Sequence, residues 1–155
     1  MVLILIIFSY FKIREYNILK DAFAFKYEDV DSTWRIKKGE NIHDYKYNME
    51  SEEIDELSKI LTSSKLKKAT INDSPQNNLG SLSIQVSEKL RKPSDSISVK
   101  YQRNITLVPI DKSRVYIFLE INKPRNDNSF NLDTILQKFY IIDSKRLVEL
   151  INRNA

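Results

Sequence analysis

The sequence predicts an α+β fold with a largely antiparallel sheet of about five to seven strands, one central helix, a short C-terminal helix and an N-terminal apolar helix. Three observations carry this expectation. Apolar and polar residues alternate in several separate runs, one central stretch repeats its apolar residues at helical spacing, and turn-forming clusters join the strand-like runs.

Phe23, Phe25 and Tyr27 alternate with small or polar residues, and Val30, Trp34 and Ile36 continue an extended pattern to Gly39. This reads as one long strand or a bent pair. Ile42 to Met49, with Tyr45 and Tyr47 in alternation, predicts a second strand, antiparallel to the first across Lys38-Gly39-Glu40-Asn41. Ser51 then offers an N-cap, Glu52 and Glu53 place negative charge in a first turn, and Ile54, Leu57 and Leu61 recur at helical spacing beside Ile60. The helix should end near Thr62 to Lys65, where hydroxyl side chains favour local hydrogen bonds. Asn72-Asp73-Ser74-Pro75-Gln76-Asn77-Asn78 predicts a loop. Further strands are expected around Leu82, Ile84 and Val86, around Ile97, Val99 and Tyr101, and around Ile105, Leu107 and Val108. The nearly continuous apolar run Val115 to Leu119 with Ile121 predicts a central strand buried on both faces. Pro124 to Asn131 reads as a hairpin excursion, Phe139 to Ile142 as the last strand, and Ser144 as the cap of a final helix with Leu147, Leu150 and Ile151 on its apolar stripe.

Composition bounds the function. The 155 residues suit one ordinary domain, and 41% hydrophobic residues are enough for a core, so the chain is not disordered by composition. No Cys occurs, which excludes zinc-thiolate sites, disulfide frameworks, thiol nucleophiles and lipid attachment through an N-terminal cysteine. Only two glycines are present, so neither a P-loop nor a dinucleotide fingerprint can form. The single His43 cannot make a two-histidine metal site. No cofactor and no metal are expected. With 25 basic against 21 acidic residues the charge is nearly balanced. The small clusters Lys65, Lys67, Lys68 and Lys89, Arg91, Lys92 read as solvated turns, so no nucleic-acid partner is expected.

The sharpest compositional step lies at the N-terminus. Val2, Leu3, Ile4, Leu5, Ile6, Ile7, Phe8, Tyr10 and Phe11 form an apolar run broken by Ser9, and Lys12 and Arg14 follow at once. Three readings are open: a signal-like or anchoring segment, a short helix lying in the membrane interface, and a buried first element of a soluble domain. The first is taken as the working expectation, with residues 1–20 as anchor and basic spacer and residues 21–155 as a single α+β domain. The anchor is expected to stay uncleaved because no small-x-small site follows it, and the domain is expected outside the cytoplasm.

Side chains able to carry chemistry have bland readings beside them. Glu28, Asp29 and Asp31 lie near Trp34, and two carboxylates beside an aromatic platform are what glycosidases use; on a strand, however, residues 28 and 29 face opposite sides. His43 and Asp44 point apart for the same reason. Asp73 reads as an Asx-turn accepting from following backbone amides, and a calcium loop would need more carboxylates and a glycine. No catalytic residue is assigned. Tyr27, Trp34, Tyr45 and Tyr47 are the candidates for an aromatic binding surface for peptide or glycan, against the alternative that the tyrosines close the core edges.

The acidic helix EEIDELSKIL, the connection SSKLKKATI, Asn72-Asp73-Ser74-Pro75 and the closing Phe139-Tyr140-Ile141-Ile142-Asp143, together with the apolar start, resemble small, uncharacterised, membrane-anchored or lipoprotein-like domains of low-GC Gram-positive bacteria. The resemblance covers about half the chain; the lipid-attachment cysteine is absent, and the Val86 to Pro109 region has no counterpart. It implies a location and a fold class but no mechanism. The expected function is a membrane-tethered, non-enzymatic domain that binds a protein or envelope component through an edge strand or the open sheet face. The alternative is a soluble cytoplasmic immunity or inhibitor-type protein with residues 2–11 packed into the fold.

Overall fold

The computed structural model describes residues 21–36, 49–75, 80–91, 97–125 and 132–153. The chain forms a 3-10 turn (Tyr27–Asp29), β1 (Val30–Ile36), α1 (Ser51–Ser63), β2 (Lys67–Ala69), a second 3-10 turn (Ile71–Asp73), β3 (Ser81–Arg91), β4 (Ile97–Pro109), β5 (Arg114–Pro124), β6 (Leu132–Asp143) and α2 (Lys145–Asn152). The six strands make one antiparallel sheet in the order β1-β3-β4-β5-β6-β2. The α+β class and the antiparallel sheet are as the sequence predicts.

β3 to β6 pair successively as a meander, and β1 and β2 flank it. Because side chains alternate across a strand, register alone assigns each residue to a face. Leu82, Leu107, Ile117 and Tyr140 stand opposite one another on one face, followed by Ile84, Ile105 and Leu119 in the next row. All seven are buried, and they pack with Ile54, Leu57 and Leu61 of α1 and Leu147, Leu150 and Ile151 of α2 in a single core. Both helices therefore cover the same sheet face. β5 is central and Tyr116 on its other face is also buried, but Phe118 and Glu120 are only half-buried, so burial on both faces holds for one end of the strand.

Several expected elements fall differently. Phe23, Phe25 and Tyr27 do not extend the first strand: Asp21 to Phe23 close a helical turn, and Tyr27 begins a 3-10 turn. Their alternation is real in burial terms, since Phe23 and Phe25 are both in the core, but it arises from a helix end followed by an extended link. Ser58 Oγ of α1 holds that link, accepting from Phe25 N at 3.2 Å and donating to Phe23 O at 3.0 Å. The expected strand from Ile42 lies outside the described residues, apart from Met49, which is in the core. Glu50, not Ser51, is the N-cap of α1, because Glu53 reaches back to accept from Glu50 N at 3.4 Å. At the other end, Thr62 Oγ1 donates to Ser58 O at 2.8 Å, the local bonding expected of the hydroxyl cluster. The two runs Ile97 to Tyr101 and Ile105 to Val108 are one continuous strand. Lys67 and Lys68 form the edge strand β2 and not a turn, and β3 continues through Lys89 to Arg91. Gly80 leads into β3 with φ 87°, a left-handed conformation that a Cβ would disfavour.

Two arginines on the helix-covered face tie the layers together. Arg35 of β1, 4% exposed, donates from Nη2 to Leu150 O at 3.0 Å and from Nη1 to Arg153 O, at the C-terminal end of α2. Arg103 of β4 donates from Nη1 to the carbonyls of Asp21, Ala22 and Ala24 at 2.6, 3.0 and 3.4 Å. The last carbonyls of a helix lack intrahelical partners and carry partial negative charge, which a guanidinium satisfies. Between the helices, Arg146 of α2 bonds to Glu56 of α1, and Arg153 lies 3.7 Å from Glu53 and 3.8 Å from Glu56. Arg146 holds the Glu56 carboxyl below its usual range.

The β4–β5 hairpin is closed by Asp111, whose Oδ1 accepts from Ser113 N at 2.8 Å and Arg114 N at 2.9 Å while Oδ2 accepts from Arg114 Nε at 2.7 Å. The Ser113 amide and the Arg114 guanidinium lower its carboxyl to about 2. A depressed folded-state value means the turn is stabilised fully above the unfolded aspartate range, about 3.9, and that this stabilisation is lost as pH falls through about 2. Carboxyl NMR titration should give Asp111 a midpoint near 2; a midpoint in the ordinary range would contradict the turn geometry. Arg35→Met should lower unfolding free energy by about 2–3 kcal/mol in urea melts, because it leaves helix-end carbonyls without their buried donor. The exposed Arg125→Met should change it by less than about 0.5 kcal/mol.

Candidate binding face

The face of the sheet away from the helices is set by the other parity of each strand. Trp34, Ser83, Thr106, Phe118, Phe139 and Ala69 stand opposite one another, so one row runs across all six strands. Trp34 is 37% exposed at the β1 end. In the middle, Ser83 Oγ and Thr106 Oγ1 are hydrogen-bonded at 3.2 Å. Toward β6 the rings of Phe118 and Phe139 stack at a centroid distance of 5.1 Å, and Tyr116 stacks on Phe139 at 6.0 Å.

The neighbouring row is polar throughout: Ser32, Gln85, Asn104, Glu120 and Gln137. Ser32 Oγ donates to Gln85 Oε1 at 3.0 Å. Glu120 sits at the centre of an amide network. Its Oε1 accepts from Asn122 Nδ2 at 2.8 Å and Asn104 Nδ2 at 3.2 Å, and its Oε2 accepts from Gln137 Nε2 at 2.9 Å. Thr134 Oγ1 extends the network by donating to Asn122 Oδ1 at 2.8 Å. The Asn122 bond above all, with those of Gln137 and Asn104, holds the Glu120 carboxyl below the usual glutamate range. An ionised carboxylate with both oxygens engaged fixes the rotamers of its amide partners, and each planar amide keeps hydrogen-bonding capacity of its own.

One end of this face is roofed. Tyr116 OH donates to Thr70 O at 3.1 Å, which leaves Tyr116 2% exposed beneath the second 3-10 turn. Asp73 there accepts from Thr70 N at 2.7 Å and Thr70 Oγ1 at 2.8 Å, and these bonds lower its carboxyl. The expected Asx-turn toward following amides is thus reversed: Asp73 ties back to the preceding residue. Asn77 and Asn78 lie outside the described residues, as do His43 and Asp44.

The expected aromatic surface is only partly assembled. Trp34 is on the open face, whereas Tyr27, 53% exposed, stands at the rim beside β1; Tyr45 and Tyr47 lie outside the described residues, as does the expected anchor at Val2 to Phe11. The aromatics that join Trp34's row are Phe118 and Phe139, with Tyr116 stacked beside them. Tyr140 is buried edge-on against Phe23, a core role. The acidic trio separates, but not by strand alternation: Glu28 and Asp29 lie in the 3-10 turn, and of the three only Asp31 is on β1. Glu28 and Asp31 line a cleft of about 310 Å³ with Tyr27, Val30, Ser32, Thr33, Met49 and Ile54. Asp29 instead accepts from Lys26 N at 3.1 Å and lines a second groove on the helical side. Trp34 lines neither; the ring that shares the first cleft with Glu28 and Asp31 is that of Tyr27. Among the described residues no group of three His, Asp or Glu side chains could hold a metal ion.

The Glu120 network, the buried Arg35 and the half-buried Arg103 escape a search for catalytic motifs, yet strand parity reveals them. Arg103 shares the parity of Ile105 and Leu107, and Glu120 that of Phe118. Comparison of the chain with protein-family models, curated proteins and solved structures finds no match.

The network makes a spectroscopic prediction. As pH falls, the side-chain amide signals of Asn104, Asn122 and Gln137 should shift together, with one midpoint below the ordinary glutamate range of about 4.3. The sign follows from the depressed carboxyl: the network is intact above that range and is lost as pH falls through the lowered midpoint. Independent shifts, or a midpoint at or above the ordinary value, would contradict the shared carboxylate.

Proposed function

We propose that the protein is a membrane-tethered, non-enzymatic binding module. Residues 2–11 hold it to the membrane, the domain lies outside the cytoplasm, and the sheet face opposite the helices meets a protein or cell-envelope component. The observation that carries this reading is the open face itself. It presents an ordered row of hydrogen-bonding side chains, Ser32, Gln85, Asn104, Glu120 and Gln137, beside a row in which Trp34 at one end and Phe118 and Phe139 toward the other flank the hydroxyls of Ser83 and Thr106. Amphipathic aromatics next to rigid polar groups form a surface that loses little side-chain entropy when a partner docks. Among the described residues no helix is long and apolar enough to cross a membrane; the reading of residues 2–11 as the tether is supported by the compositional step from Val2–Phe11 to Lys12 and Arg14.

The test is fractionation of cells expressing the gene from its natural upstream region, with protease added to intact cells. The tethered module should sediment with membranes and be digested from outside. Deleting residues 2–11 should release a folded, soluble domain. A protein that is soluble and protected, and that unfolds on the deletion, would instead be the soluble immunity or inhibitor-type alternative.

A further inference from the structure

We propose that the open sheet face binds a neutral oligosaccharide chain, laid across β3 to β6 over the row Gln85, Asn104, Glu120 and Gln137. This rests on the binding-module reading and gives its partner a chemical class. The row is fixed by side-chain bonds as well as by backbone register. Asn104 and Gln137 both donate to the Glu120 carboxylate, at 3.2 and 2.9 Å, and Gln85 accepts from Ser32 Oγ at 3.0 Å. Gln137 is exposed and Gln85, Asn104 and Glu120 are half-buried, so solvent reaches the row.

Charge narrows the ligand. Neither this row nor the neighbouring row from Trp34 to Phe139 contains a basic side chain. Lys67 and Arg114, which share the parity of the open face, lie toward its roofed end, each paired with an aspartate, Asp143 and Asp111. A ligand rich in phosphate or carboxylate groups therefore meets Glu120 with no cation in the row to offset the repulsion. A basic ligand gains little, because amides already occupy both Glu120 oxygens. What fits is a neutral ligand whose groups both donate and accept.

The amides match hydroxyl groups. An amide side chain has two N–H donors and one carbonyl acceptor. Among the described residues Asn104 and Gln137 each use one N–H on Glu120 and keep a second N–H and a carbonyl, while Gln85 uses its carbonyl on Ser32 and keeps both N–H groups. Neighbouring hydroxyls of a sugar, each a donor and an acceptor, pair with such mixed sets; an extended peptide laid on the face would turn alternate side chains toward it and its backbone groups sideways. The Glu120 carboxylate fixes the amides before a ligand arrives, so little rotamer freedom is lost on binding. Gln85 to Gln137 covers three strand spacings, about 14 Å, the length of a short oligosaccharide. Trp34, 37% exposed on β1, adds a flat ring at one end: its face is electron-rich, and the C–H groups on one side of a sugar ring are electron-poor.

The test titrates the full chain, in phosphocholine micelles that carry no sugar head group, with cellotetraose, chitotetraose and maltotetraose, with tetragalacturonate, and with the neutral peptide acetyl-Ser-Gln-Ser-Gln-Ser-amide. At least one neutral tetrasaccharide should shift the side-chain amide signals of Gln85, Asn104 and Gln137 together at millimolar concentration, and the galacturonate and the peptide should not. Gln137→Ala should weaken that binding about two- to tenfold, the range of a lost hydrogen bond. Trp34→Ala should weaken it about fivefold or more, the range of a lost stacking ring. Both side chains are exposed, and the backbone amide signals of α1 and α2 should stay as in the native chain. No shift with any neutral sugar, equal shifts with the galacturonate or the peptide, or native affinity in both variants would overturn the proposal. If the sugars fail while membrane fractionation and surface digestion succeed, the binding-module reading stands and the oligosaccharide assignment falls.

Discussion

Two guanidinium groups anchored in the sheet hold the helical layer in place. Helix ends are costly to bury because their final carbonyls have no partner within the helix. The sheet face beneath α2 is almost wholly apolar, and Arg35 supplies the donors that end requires. Arg103 does the same for the helical turn that ends at Phe23. Each also spans distant parts of the chain: Arg35 joins the first described strand to the last helix, and Arg103 joins β4 to the segment leading into β1. The orientation of both helical pieces over the core therefore depends on two side chains, while the apolar packing supplies the bulk of the driving force.

That arrangement determines what the other side of the sheet can be. The helices claim one parity of every strand, with Leu82, Ile84, Ile105, Leu107, Ile117 and Leu119 all fully buried on it. The remaining parity is released from the demands of the core and carries hydroxyls, amides, the Glu120 carboxylate, the Lys67–Asp143 ion pair and the aromatics Trp34, Tyr116, Phe118 and Phe139. Glu120 organises this surface much as the arginines organise the other. Its charge is satisfied by amides from β4, β5 and β6, so three strands share one electrostatic constraint. A rigid polar surface of this kind is suited to recognition.

Much of the fold was legible in the sequence because strict alternation and helical spacing report burial directly. Leu82-Ile84-Val86 and Ile54-Leu57-Leu61 needed no tertiary information, and Ser144 caps α2 by accepting from Leu147 N at 3.1 Å, as its position suggests. Phe23 and Phe25 misled because a helix end and an extended link can bury alternate residues as a strand does. Ser51 looked like the N-cap because serine favours that position, but the reciprocal bond from Glu53 shifted it to Glu50. β2 was missed because three residues rich in lysine show no pattern, and its pairing with β6 is purely tertiary. The candidate face was harder to read. Trp34 was named with Tyr27, Tyr45 and Tyr47 as a candidate surface aromatic, but its neighbours Phe118 and Phe139 join it only through the register of the sheet. Glu120, in an otherwise apolar run, gave a signal that only knowledge of both faces could interpret.

The central claim is that the sheet face opposite the helices, and not the helical layer, meets the partner. Site-specific photo-crosslinking in the native cells tests this most directly, with a photoreactive residue placed in turn at Ser83, Gln137, Glu52 and Glu149. The account predicts crosslinked adducts from Ser83 and Gln137 and none from the two helix positions. Adducts confined to Glu52 and Glu149 would contradict it and place the contact on the helices.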